Sequence, residues 1–180
     1  REHAIIKKIK ENKSVTQIFA LPGNAGMKND ATCVDIGAKD IEKIVDFAKQ
    51  NDIDYAIVAP DDPLVLGCVD ALNKINIPCF GPTANAAIIE GSKIFSKNLM
   101  KKYGIPTAEY EVFSDINKAV EYLETASIPV VIKADGLALG KGVIIAQTRD
   151  EAIDAVRSMM EDKVFGDSGS NIVIEEFLTG

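Results

Sequence analysis

Apolar and polar positions along the chain follow two rhythms, one helical and one extended. Ala4, Ile5, Ile6 and Ile9 recur at helical spacing among lysines and predict a helix over residues 2–12. Residues 16–21 read as a buried strand that ends in the turn cluster Pro22-Gly23-Asn24-Ala25-Gly26. A short strand over 33–36 follows. Asp40 then caps a helix through Gln50, whose Ile41, Ile44, Val45 and Ala48 repeat on one side. Residues 55–59 are nearly all apolar, as expected for a parallel strand covered on both faces, and stop at Pro60-Asp61-Asp62-Pro63-Leu64. A helix over 66–74 leads to a strand over 77–80 and the turn Gly81-Pro82-Thr83.

Strands alternating with helices make residues 1–83 an α/β unit with an open parallel sheet. Its polar turns after Leu21, Ala59 and Phe80 all lie at strand C-termini, the edge where such sheets bind ligands, although connections alone would also produce them. Residues 84–103 are helical with a break near Gly91. Ser92 caps the second helix, Ile94, Leu99 and Met100 face inward, and Lys93, Lys97, Lys101 and Lys102 form a solvated face. Gly104-Ile105-Pro106 closes that helix. The remainder predicts strand 110–113, helix 115–125, a strand–loop–strand hairpin, helix 149–161, a mobile glycine-rich loop over 165–170 and strand 171–177. This is a small α+β layer rather than a continuation of the first sheet.

The hairpin carries the chemistry. Pro129-Val130-Val131-Ile132 and Val143-Ile144-Ile145-Ala146 flank a loop with glycines at 136, 140 and 142, while Lys133 and Lys141 add positive charge. Bare backbone N–H groups at such glycines can approach an anion, so the loop reads as a flap over a nucleoside triphosphate. An ordinary hairpin with two solvated lysines is the other reading of the same residues. A P-loop is excluded, because Gly140-Lys141-Gly142 runs into Val143-Ile144-Ile145 instead of opening a helix after Lys-Ser/Thr. A dinucleotide fingerprint is excluded on the same ground.

Composition narrows the partners. A net charge of −7 argues against nucleic acid, whose phosphates recruit basic faces. The apolar fraction of 47% and charged fraction of 26% are those of a globular protein, and no apolar run approaches the roughly 18 residues of a membrane span. Cys33, Cys68 and Cys79 form no CxxC pair and read as small buried hydrophobes, which suits a reducing, cytoplasmic setting. His3, the only histidine, reads as structural rather than as a base. The chain starts at Arg1 without methionine and is read as a piece of a longer polypeptide.

Several motifs occur in one order: Pro22-Gly23-Asn24-Ala25-Gly26, Phe80-Gly81-Pro82-Thr83, Glu90-Gly91-Ser92-Lys93, Ile105-Pro106-Thr107-Ala108, Val131-Ile132-Lys133-Ala134-Asp135-Gly136-Leu137-Ala138, Gly140-Lys141-Gly142-Val143 and Val173-Ile174-Glu175-Glu176-Phe177-Leu178. Together they resemble the phosphoribosylamine–glycine ligase family of the ATP-grasp superfamily, over the whole chain. Arg1-Glu2-His3-Ala4 looks like the tail of that family's Gly-Gly-Arg-Glu-His-Ala turn.

The resemblance implies an N-terminal substrate-binding domain (1–83, its first strand missing), a helical linker (84–108) and an ATP-grasp nucleotide-binding subdomain (109–180). It implies ATP-dependent ligation of glycine to 5-phosphoribosylamine through glycyl phosphate, in purine biosynthesis. On that analogy Lys93 and Lys133 contact ATP phosphates, and Gly136, Gly140, Lys141 and Gly142 cover them. Glu176 and Leu178 hold adenine through backbone atoms with Phe177 between them, and Glu175 offers a side-chain contact to the adenine amino group or ribose. Gly23, Asn24, Ala25 and Gly26 would cradle the 5-phosphate of phosphoribosylamine. Asp61 stands where the family has a longer glutamate, which weakens a substrate contact there, and Leu139 replaces a small residue.

The cofactors implied are ATP and Mg²⁺ or Mn²⁺, with metal ligands expected in the family's later half, which has no counterpart here. The chain is therefore expected not to ligate glycine by itself. Two further readings stay open: a fragment of another ATP-grasp ligase or carboxylase, and a nucleotide-binding module without turnover.

Overall fold

The computed structural model describes residues 1–137 and 142–179. It divides into two units, Arg1–Ala87 and Ile88–Gly180, with the boundary inside a helix, Ala84–Gly91. Among the described residues no helix is long and apolar enough to cross a membrane.

The first unit opens with α1 (Glu2–Lys10), β1 (Phe19–Ala20) and β2 (Thr32–Cys33), the two strands pairing in parallel. Helix α2 (Ile41–Gln50) begins where Asp40 accepts a hydrogen bond from the Lys43 backbone N–H, the cap its sequence predicts. A second parallel pair joins β3 (Ala56–Ile57) to β4 (Cys79–Phe80). Both pairs are shorter than the apolar runs around them, because pairing stops where the neighbouring chain turns away.

The expectation that 55–59 is covered on both faces fails. Val58 is buried while Tyr55 and Ile57 are exposed, since the apolar cover lies on one face. That cover comes from α2 and α4 (Cys68–Asn73), whose Ala48, Val69 and Leu72 form a core with Val58 and Ile77. The Pro60–Leu64 turn also proves helical, as α3 (Asp61–Val65). Two acids and a proline in its first turn suit a helix N-terminus. Cys68 is buried as expected, and burial pushes its thiol up to about 11, whereas Cys33 and Cys79 are only partly covered.

In the second unit, α6 (Lys93–Tyr103) follows α5 (Ala84–Gly91) across Ser92, whose hydroxyl accepts from the Phe95 N–H. Gly104, at φ +64°, ends α6 in the left-handed conformation that glycine adopts without strain. Four antiparallel strands follow: β5 (Tyr110–Phe113), β6 (Val130–Ala134), β7 (Val143–Ala146) and β8 (Ile172–Glu176), in the spatial order β5-β8-β6-β7. Alternation sorts their side chains. Val130, Ile132, Ala134, Ile172 and Ile174 are buried in one core with α7 (Ile116–Thr125) and α8 (Arg149–Met160). Fully burying each large aliphatic chain contributes roughly 1.5–3 kcal/mol.

The segment expected to be a mobile loop is a 3₁₀ turn, Gly166–Ser170. Gly169 there lies so close to the Met159 carbonyl that a Cβ would sit 2.1 Å from its oxygen. Close packing of backbone on backbone, invisible in a glycine-rich composition, fixes the turn.

Candidate functional site

The sheet of the second unit covers one face with α7 and α8. Its other face takes the alternate positions, including Val131 and Lys133 on β6, Val173 and Glu175 on β8, and Val143 and Ile145 on β7. Val143 and Ile145 are exposed. The exposed part of this face, along β7, is apolar, and Lys133 and Glu175 meet diagonally across β6 and β8 beside it, a composition suited to a flat ring carrying an anionic tail.

Lys133 Nζ donates to Glu175 Oε2 at 2.9 Å across adjacent strands. Glu175 is almost wholly buried, and its carboxylate is shared, because Lys97 Nζ approaches the same oxygen at 3.1 Å from α6. Lys97 also donates to Thr107 Oγ1 (2.8 Å) and the Ala108 carbonyl (3.2 Å), and its ammonium lies over the Tyr110 ring. The solvated lysine face predicted for α6 is thus corrected: Lys97 is buried, with a side chain 7% exposed. A buried carboxylate provides the partner that a surface reading omits.

Lys93 opens α6 and donates from Nζ to the Gly136 carbonyl at 2.8 Å, just beyond the end of β6. Burial pulls its pKa below the ordinary lysine value; Asp135 and Glu90 oppose this, and Lys133 adds to it. Both amines therefore serve one end of β6. Asp135 locks that arrangement: Oδ1 accepts from the Ser92 hydroxyl (3.1 Å) and the Ile94 N–H (3.2 Å), so the strand end caps the helix start. Gly136 takes φ +89°, and a Cβ on it would meet Ser168 Oγ at 3.0 Å.

Of the remaining nucleotide-site residues, Gly142 directs its carbonyl to the Ala134 N–H at 2.8 Å, while Gly140 and Lys141 lie outside the described residues. Glu176 gives its backbone N–H to the Glu109 carbonyl (3.0 Å), and its side chain accepts from the Glu109 N–H (2.9 Å). That N–H is therefore not the group open to a ligand. Phe177 and Leu178 follow the strand with exposed side chains.

In the first unit, Gly23 takes φ +71° and Asn24 caps a 3₁₀ turn, Ala25–Met27, by accepting from the Met27 N–H. A Cβ on Gly26 would lie 3.2 Å from Asn24 Oδ1 and 3.6 Å from His3 Nδ1, so the imidazole backs this loop. His3 Nε2 bonds Asp30 Oδ2 at 2.9 Å, and Lys10 bonds the other oxygen at 3.0 Å. His3, then Lys10, holds the Asp30 carboxyl below its ordinary value. Asp61 is exposed, 3.9 Å from the Arg1 guanidinium.

Two residues central to this geometry escaped the sequence reading, Lys97 and Asp135. Their signals were slight. Lys97 stands four residues after Lys93, hence on the same face of α6, and Asp135 directly precedes a loop glycine. No group of three or more His, Cys, Asp and Glu side chains gathers as a metal site among the described residues. The carboxylates nearest the amines, Asp135 and Glu175, are already bonded to the helix start and to two lysines. They do not fit a divalent ion as placed.

Comparison with known proteins bears on both units. Residues 1–90 match the family model "Phosphoribosylglycinamide synthetase, N domain", and residues 91–180 match its "ATP-grasp (A) domain". A phosphoribosylamine–glycine ligase of Streptococcus pneumoniae is 50% identical over the full chain, and one of Streptococcus pyogenes is 49% identical. The chain spans 43% of the length of these relatives. The crystal structure of a phosphoribosylamine–glycine ligase from Thermotoga maritima is similar at TM-score 0.79 and 33% identity, covering 99% of this chain and 42% of that one. A biotin carboxylase domain from Hydrogenobacter thermophilus, solved with MgADP and bicarbonate, reaches TM-score 0.77 at 18% identity, covering 97% of this chain and 41% of that one. At that identity the likeness speaks to fold.

Proposed function

Because the chain belongs to the phosphoribosylglycinamide synthetase family, as both domain models and the half-identical relatives show, we propose that the whole protein ligates glycine to 5-phosphoribosylamine at the expense of ATP. The glycine carboxylate attacks the γ-phosphorus and ADP leaves, giving glycyl phosphate. The amine of phosphoribosylamine then attacks the activated carbonyl, releases phosphate and loses a proton. Chemistry of this kind needs positioning and charge neutralisation more than covalent help from side chains.

The observation that supports this reading best is the delivery of two amines, Lys93 from α6 and Lys133 from β6, to one strand end. There they can neutralise the charge of a triphosphate, which Gly136, Gly140, Lys141 and Gly142 are proposed to cover. The apolar sheet face beside them suits adenine, with Glu175 on that face and Glu176, Phe177 and Leu178 at the end of β8. Gly23, Asn24, Ala25 and Gly26 are proposed to receive the 5-phosphate of phosphoribosylamine, and Asp61 a further substrate contact. Mg²⁺ or Mn²⁺ would neutralise the phosphates when bound, and its ligands are proposed to lie outside the described residues.

The test is an assay of ADP release by the whole protein. Release that depends on glycine and phosphoribosylamine together supports the proposal. Release stimulated by bicarbonate and indifferent to glycine would replace it with a carboxylase.

A further inference from the structure

Lys97 is the most completely buried charged side chain on α6, and the ligation chemistry gives it no task. Its three ammonium hydrogens are matched by three acceptors: Glu175 Oε2, Thr107 Oγ1 and the Ala108 carbonyl. With a side chain 7% exposed, it has no donor left for a ligand. Lys133 differs. Its side chain is 27% exposed, and the described residues give it one bond, to the same Glu175 oxygen.

We propose that Lys97 is a positioning residue: by sharing the Glu175 carboxylate with Lys133, it leaves the Lys133 ammonium with uncompensated positive charge for the phosphate tail of an adenine nucleotide. The inference rests on the reading of Lys133 given above. One carboxylate faces two ammonium groups, so the cluster keeps a net positive charge although each group is paired. Without Lys97, the buried carboxylate would keep Lys133 as its one ammonium partner among the described residues. An ion pair closed in that way, away from water, would compete with an incoming phosphate. The geometry separates the two roles. Lys97 reaches Glu175 from α6 and is pinned over Tyr110, whereas Lys133 reaches it along the sheet face that the ligand would share.

The experiment compares binding of ATP and of adenosine, which has no phosphate, by variants of the whole protein. Lys97→Met should raise the Kd for ATP about tenfold or more and leave adenosine within about twofold. Adding Glu175→Gln removes the competing charge, so Lys97→Met/Glu175→Gln should bind ATP within about threefold of Glu175→Gln alone. Parallel loss of ATP and adenosine in Lys97→Met would make the residue merely structural and overturn the inference. So would a double variant about tenfold weaker for ATP than Glu175→Gln. If Lys97→Met does not fold, the comparison of the double variant with Glu175→Gln decides alone, since the double variant leaves no buried charge unpaired and the single variant keeps Lys97 bonded to Thr107 and Ala108. A parallel Lys133→Met variant separates the two levels. Wild-type ATP affinity there sinks the phosphate reading itself. Loss there with ATP affinity unchanged in Lys97→Met sinks only the role of Lys97.

Discussion

Lys133 Nζ lies 2.9 Å from Glu175 Oε2, although in the β6–β8 register Lys133 stands opposite Val173 and Glu175 opposite Val131. The contact is a diagonal one on a single sheet face, within reach of a long side chain. It anchors an amine at the end of β6, beside the place where α6 delivers Lys93.

Replacing Lys133 tests that anchor. Lys133→Ala removes a partly covered, charge-assisted contact worth roughly 1.5–3 kcal/mol, so ATP affinity should fall about tenfold to a hundredfold. Titration calorimetry of the whole protein reads this directly. Unchanged affinity would take Lys133 out of the site.

Gly26→Val tests the loop of the first unit. Its Cβ would press on the Asn24 carboxamide and the His3 ring, where both ends of the contact are side chains that can give a little. The strain should cost about 1 kcal/mol of stability. The larger effect should be a raised KM for phosphoribosylamine with ATP binding spared. Equal loss of both would indicate misfolding instead.

Much of this organisation was legible because it is local. The caps Asp40 and Ser92 each lie one residue before their helices, and apolar periodicity does the rest. Strand Tyr110–Phe113 has the limits its pattern predicts. Long-range partners were not legible. Whether Lys97 meets water or a carboxylate is decided by Glu175, far along the chain, and nothing in the α6 pattern carries that. The short strands of the first unit were overextended because an apolar run does not say where its neighbour diverges. The helix Asp61–Val65 could have been read from its acids and proline, which are good first-turn residues as well as turn formers.

The 3₁₀ turn Gly166–Ser170 gives a stability prediction. Gly169→Ala places a methyl 2.1 Å from the Met159 carbonyl oxygen, and neither backbone can yield without disturbing the end of α8. A loss of about 3 kcal/mol is expected, read as a lower urea midpoint with an unchanged slope. Wild-type stability would show that the turn is free to move after all.

Asp30 gives a pH prediction. Because His3 and Lys10 lower its pKa in the folded protein, its carboxylate stabilises the fold above the ordinary value of 3.8. That contribution disappears as pH falls through the still lower folded value. Asp30→Asn should therefore lower Tm at pH 7, with the difference from wild type closing below pH 3.8. A difference that persisted undiminished in acid would mean that hydrogen bonding, not charge, holds His3.

The most direct test is a crystal structure of the whole protein with a non-hydrolysable ATP analogue. Lys93 Nζ and Lys133 Nζ should both lie within about 3.2 Å of phosphate oxygens, with Glu175 still bonded to Lys97. Phosphates bound elsewhere, with Lys93 still on the Gly136 carbonyl and Lys133 turned to Glu175 alone, would contradict the assignment.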